Sequence, residues 1–185
     1  PRFIGRLRTG NWAGAYETLV AANALPALCG LVCPTEYLCE GACTQVKLSG
    51  HPVQIGALQY AVCRQAARAA TVGPARQGRV AVVGAGPAGI ACALTLRARG
   101  FAVDLYDRHE RVGGLASYSI PGYRLPDAAI AEELARLAEA GAGLHLGRAL
   151  DGAGLARLAR DYDALFLGVG LGLGAPFDVP GLELE

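Results

Sequence analysis

Residues 79–89 limit the fold more than any other stretch of this chain. Arg79-Val80-Ala81-Val82-Val83 is a short apolar strand, and residues 87–99 form a helix that Gly100 ends. Gly84-Ala85-Gly86-Pro87-Ala88-Gly89 fills the turn between them. A glycine-rich turn in this context belongs to a parallel α/β sheet that takes a dinucleotide. The first glycine permits the tight turn, the second lets backbone approach a pyrophosphate, and the third lets the helix pack on the strand. The pyrophosphate would sit at the helix N-terminus, where free N–H groups and the helix dipole favour negative charge. The bland reading is a glycine-rich turn that binds nothing.

The following residues continue the alternation. A second strand over 103–106 ends at Asp107, whose carboxylate is placed to accept hydrogen bonds from ribose hydroxyls. A long loop then runs to Pro126, followed by a helix at 127–140 and a short strand near 143–146. A helix near 152–160 and an apolar strand at 163–169 complete the series. Strands alternating with helices predict a mostly parallel sheet covered on both faces, with a domain spanning 79–185.

The first part of the chain reads differently. Residues 11–24 predict a helix capped by Asn11, and residues 54–70 an amphipathic helix with Ile55, Leu58, Val62 and Ala66 on one face. Residues 25–52 read as loop and residues 72–77 as a linker. The expected fold class is therefore α plus α/β, a helical domain over 1–72 followed by a partial Rossmann-like domain.

Composition narrows the function classes. The chain has 185 residues, 52% of them hydrophobic, so it can bury a core. A net charge of +1 gives no case for nucleic acid or an anionic membrane as partner. Arg2, Arg6 and Arg8 near Phe3 and Trp12 read as a solvated helix face. No apolar signal segment follows the basic start, and residues 164–175 are too few and too glycine-rich to span a bilayer. The expected location is the cytoplasm, where thiols stay reduced. The lack of methionine and the start at Pro1 suggest a region of a longer protein.

The helical part carries Cys29-x3-Cys33-x5-Cys39-x3-Cys43. Such a run in a reducing compartment points to metal or redox chemistry. Structural zinc prefers shorter Cys pairs closed locally into a tetrahedron, which this spacing matches poorly. Iron–sulfur clusters take four ligands, and one ligand of a run can serve a neighbouring cluster. His51, His109 and His145 stand isolated and need no role.

Two resemblances sharpen this. Asp107-x5-Gly113-Gly114 resembles the FAD-binding half of flavin-dependent pyridine-nucleotide oxidoreductases. Val32-Cys33-Pro34-Thr35-Glu36-Tyr37-Leu38-Cys39-Glu40-Gly41-Ala42-Cys43, with Pro52-Val53-Gln54-Ile55-Gly56-Ala57-Leu58-Gln59, resembles the iron–sulfur domain of dihydropyrimidine dehydrogenases. Val112-Gly113-Gly114-Leu115 and Ile120-Pro121-Gly122-Tyr123-Arg124-Leu125-Pro126 agree with it. The match is closest to the flavin-bearing subunit of the bacterial NAD-dependent two-subunit type, with the glutamate synthase small subunit a close relative.

The resemblance implies a site set. Cys33, Cys39 and Gln59 would ligate one 4Fe–4S cluster and Cys43 another, with further thiolates from a motif outside this chain. Cys29, Cys63 and Cys92 would be core residues. Gly84, Ala85, Gly86, Pro87, Ala88, Gly89, Asp107, Gly113, Gly114 and Leu115 would hold FAD. Arg124 would lie by the isoalloxazine, and the Leu150 backbone by the adenine. The implied parent takes hydride from NAD(P)H onto FAD and sends electrons through both clusters to an FMN-bearing subunit or domain that reduces uracil or thymine. By that match the nicotinamide domain follows this chain, so the chain alone should catalyse little. The rivals are a glutamate synthase-type electron donor and, from another class, a zinc-stapled interaction domain with an empty Rossmann half.

Overall fold

A computed structural model of the chain describes residues 2–66 and 71–171. The proposed last turn of the helix at 54–70 and everything after residue 171 lie outside the described residues.

The chain opens with α1 (Arg2–Arg8) and α2 (Trp12–Val20). The Asn11 side chain caps α2 by accepting the Gly14 N–H, as its residue type favours. The basic start is a helix, with Phe3 turned inward, Arg2 and Arg8 exposed, and Arg6 half-buried and donating its Nη1 to the Gly14 carbonyl at 2.8 Å. Phe3, Ala15, Tyr16 and Leu19 pack with Val62 and Cys63 of α5 (Ile55–Ala66) into a helical core.

The segment expected to be loop contains two helices, α3 (Pro26–Val32) and α4 (Val46–Ser49). Pro26 stands at the first position of α3, where its missing N–H costs nothing. Cys33 ends α3 in extended conformation. No local side chain caps its start. The cap comes from Glu133, far along the chain, which is why no local pattern announced the helix.

Four parallel strands follow in the order β3-β2-β1-β4: β1 (Arg79–Val83), β2 (Ala102–Tyr106), β3 (Gly143–His145) and β4 (Ala164–Leu167). The helices between them are α6 (Pro87–Ala98), α7 (Leu115–Tyr118), α8 (Asp127–Glu139) and α9 (Gly152–Asp161). Alternate residues of the central strands point to opposite faces. Val80, Val82, Val103 and Leu105 join Ile90 of α6 and Leu137 of α8 on one side. Ala81, Val83 and Tyr106 meet Leu158 of α9 on the other. The chain thus runs outward from β1 to β3 and returns to β4 on the other side of β1, so the sheet opens a crevice at the C-terminal end of β1. Among the described residues, no helix is long and apolar enough to cross a membrane.

The linker is laid down on the α/β part. The Gly73 N–H donates to the Arg97 carbonyl and the Arg76 N–H to that of Gly100. Leu25 and Leu28 of the α3 region insert into the core of the sheet, while Ala27 faces the helical core. Burying two leucines there contributes about 1.5–3 kcal/mol each. α3 therefore belongs to both cores, and it ties the cysteine run to the sheet.

Candidate functional site

The glycine turn has the geometry its sequence requires. Gly84 sits at φ +105°, and a Cβ there would strike the Gly168 carbonyl. A Cβ on Gly89 would strike the Gly84 carbonyl, so α6 lies directly on the turn. Gly86 differs. Its backbone is ordinary (φ −81°, ψ −178°), and a Cβ would have only the Gly114 Cα within reach, at 3.9 Å. Its open side lies beside the N–H groups of the first turn of α6, an arrangement that has room for an anion such as a phosphate. Pro87 starts α6, and Pro87 and Ala88 are exposed beside that opening.

A second glycine turn crosses the first. The Gly113 N–H donates to the Ala85 carbonyl at 2.7 Å, and Gly113 and Gly114 both have positive φ. A Cβ on Gly114 would come within 2.8 Å of the Gly86 Cα. Leu115, which opens α7, is exposed at the same edge. The chain has no side chains at this crossing, which leaves room for an extended cofactor along bare backbone.

Asp107 is at the end of β2, as expected, but it already carries structural work. Its Oδ2 accepts the Ala85 N–H at 2.6 Å and its Oδ1 accepts the His109 N–H at 2.8 Å. The His109 ring lies 3.0 Å from Oδ1 and packs on Tyr118. Burial raises the Asp107 pKa, but the hydrogen bonds from His109 and Ala85 outweigh it and hold the carboxyl below its usual range. A carboxyl with a lowered folded pKa adds stability above its unfolded pKa and loses it as pH falls through the folded value. The Asp107→Asn variant is therefore expected to be less stable than the wild type at neutral pH. The gap should close as urea unfolding is repeated below about pH 4. His109 was missed as a contributor; the Asp107-x-His109 spacing, short enough for an Asx turn, was its signal. His145, also read as isolated, pairs with Asp104 at 3.2 Å and stacks on Tyr106. Leu150 lies on the α9 face of the sheet, half-buried among Ala81, Leu158 and their neighbours.

Cys29 lies within α3, Cys33 ends it, and Cys39 and Cys43 lie in the loop that follows. Cys33 and Cys43 are half-buried and Cys39 is exposed. Cys29 and Cys92 are half-buried rather than enclosed, and only Cys63 is a true core residue. The Thr35 carbonyl gathers the N–H groups of Leu38, Glu40 and Gly41, which shapes the loop between Cys33 and Cys43. The Glu40 carboxylate accepts the Gly56 N–H at 2.9 Å and so caps the start of α5. Gln59, on α5, donates its Nε2 to the Pro26 carbonyl at 2.6 Å. That bond turns the carboxamide oxygen away from Pro26, and among the described residues no hydrogen bond to that oxygen is seen. Among the described residues no three Cys, His, Asp or Glu side chains converge, so these alone close neither a zinc tetrahedron nor a whole cluster ligand set.

Cys43 is prepared for the anionic state. The Val53 N–H, then that of Gln45, holds its thiol below the ordinary value of 9.0. N–H donors of this kind suit a metal-bound thiolate. Burial pushes the Cys63 thiol up to about 12. In the metal-free protein, iodoacetamide should therefore alkylate Cys43 with a midpoint below that of a free thiol. Cys63 should stay unlabelled until the chain unfolds. Peptide mapping of alkylation against pH checks both.

Arg124 joins the two halves. Its Nη2 donates to the Val32 carbonyl at 3.0 Å, one residue before Cys33. A groove of about 510 Å3 opens there, lined by Cys33, Thr35, Glu36, Glu40, Tyr123 and Arg124. Arg124 thus faces the cysteine loop.

The comparisons follow this division. The family model described as dihydropyrimidine dehydrogenase domain II, 4Fe-4S cluster, matches residues 1–71. The one described as NAD(P)-binding Rossmann-like domain matches residues 82–134. The NAD-dependent dihydropyrimidine dehydrogenase subunit PreT homolog of Salmonella typhi is 35% identical over 98% of this chain and 45% of its own length. The glutamate synthase [NADPH] small chain of Azospirillum brasilense is 35% identical over 100% of this chain and 39% of its own. The chain is similar to these PreT-type subunits and glutamate synthase small chains over nearly all of its own length. The Escherichia coli (strain K12) glutamate synthase small chain is 36% identical over 92% of the chain and 37% of its own length. The chain thus spans less than half the length of these relatives.

Proposed function

We propose that this chain supplies the ADP side of an FAD site and part of the ligands of two 4Fe–4S clusters, in a cytoplasmic enzyme carrying electrons from NAD(P)H to an FMN-bearing partner that reduces uracil or thymine. FAD suits the change from two-electron to one-electron transfer, and clusters suit one-electron steps over distance.

The residues fit these groups. The Gly86 cradle and the N–H groups at the start of α6 would bind the pyrophosphate, with Gly113 and Gly114 keeping the path bare. Asp107 uses three hydrogen bonds, and a carboxylate has a further lone pair for a ribose hydroxyl. Cys33, Cys39 and the carboxamide oxygen of Gln59 would serve one cluster, and Cys43 the other.

The observation that carries the reading is the Arg124–Val32 bond. It brings the loop that follows the flavin glycines to the residue beside Cys33, so a flavin and a cluster would be neighbours. Iron, acid-labile sulfide and flavin analysis tests it. Iron with matching sulfide and FAD is expected; zinc without sulfide overturns it. The second reading, delivery to glutamate synthase, is favoured by relatives of equal identity. Turnover with uracil against turnover with 2-oxoglutarate plus glutamine decides between them.

A further inference from the structure

We propose that Glu133 and Arg136 are positioning residues that fix the cysteine run relative to the flavin loops, acting through α3. This rests on the electron-relay reading above. Glu133 lies on α8, in the sheet domain, and among the described residues it is the one charged side chain in the core, at 4% exposure. Two of its three partners, Ala27 and Leu28, belong to the other half of the molecule. Oε2 accepts the Ala27 and Leu28 N–H groups at 2.6 and 3.0 Å, the orphan donors at the start of α3. Oε1 takes Arg136 Nη1 at 2.9 Å, and the same nitrogen donates to the Ala24 carbonyl at 2.8 Å. One ion pair therefore grips the chain on both sides of Pro26.

A buried ion pair is a poor choice if only stability is required, since apolar side chains of similar volume do as well or better. What the pair adds is direction. α3 is a rigid rod from this grip to Cys33, five residues and about 7.5 Å beyond Leu28. Its other end is held by Arg124 at Val32. Its first carbonyl, that of Pro26, orients Gln59. A shift of the α3 start would move both proposed ligands of one cluster, Cys33 and Gln59, against the glycine turns.

The test uses the cofactor-loaded protein and the double variant Glu133→Leu/Arg136→Leu, which keeps volume and removes the grip. Flavin reduction by NAD(P)H should stay at the wild-type rate in rapid mixing. Reduction of the clusters should slow by roughly tenfold or more, the scale on which ångström-level misplacement acts. The EPR line shape of the reduced clusters should change at full iron and flavin content. Wild-type cluster rates with an unchanged spectrum overturn the proposal and leave the relay reading standing. Wild-type protein without iron and sulfide overturns both. Should the double variant misfold, Arg136→Lys keeps the charge but not the reach to Ala24. An intermediate slowing then supports the proposal, and a wild-type rate with an unchanged spectrum overturns it.

Discussion

Gly89→Ala is expected to cost about 4 kcal/mol or more and to abolish flavin retention, whereas Gly86→Ala abolishes flavin retention alone. The two glycines lie three residues apart in one turn, yet their surroundings differ. A Cβ on Gly89 meets backbone, the Gly84 carbonyl, with Val82 Cγ1 behind it at 3.3 Å. Backbone cannot rotate away, so α6 would have to lift off β1, and the core that Ile90 and Leu94 form with Val80 and Val82 would open. Gly86 has common dihedral angles and open space, so alanine fits the cofactor-free turn. The added methyl would instead occupy the cradle. Urea unfolding and FAD content of the two variants separate them. Equal stability losses would mean that Gly86, too, is a packing glycine.

That contrast marks where the sequence was readable. Strand β1, the start of α6 and the first glycine turn followed from local chemistry, an apolar run and glycine spacing, whereas Gly113 and Gly114 were read from resemblance and their crossing with the first turn came only with the fold. Asn11 and Asp151, both capping types, cap α2 and α9 through their own side chains. The α3 helix did not show, because it is seven residues long and its cap is Glu133, 106 residues away. The short α7 was likewise hidden in the loop after Gly114, its path set by Tyr118 and Ser117 bonding back to Arg111 and Val112. Asp107 was placed correctly at its strand end, but its grip on Ala85 and His109 depends on how two loops meet. Arg124 read as a flavin neighbour from resemblance. Its bond to Val32 adds the cysteine side, which only the packing of α3 against the sheet could show.

Gln59→Leu is expected to remove about half of the iron and one of two cluster EPR signals while FAD content holds. The two ends of this side chain do different things. Nε2 ties α5 to the Pro26 carbonyl at 2.6 Å, and the carboxamide oxygen points away from that bond. Leucine loses both, at a stability cost of about 1 kcal/mol for the hydrogen bond. Gln59→Glu separates them. It keeps an oxygen for the metal, but sets a carboxylate against the Pro26 carbonyl and adds negative charge to the cluster. Iron should then be retained, and EPR-monitored titration should show one cluster with a lowered potential, because added negative charge disfavours the reduced state. Full iron and both signals in the leucine variant would make Gln59 a tie between two helices and nothing more. The thiolates of Cys33 and Cys39 would then need another fourth partner.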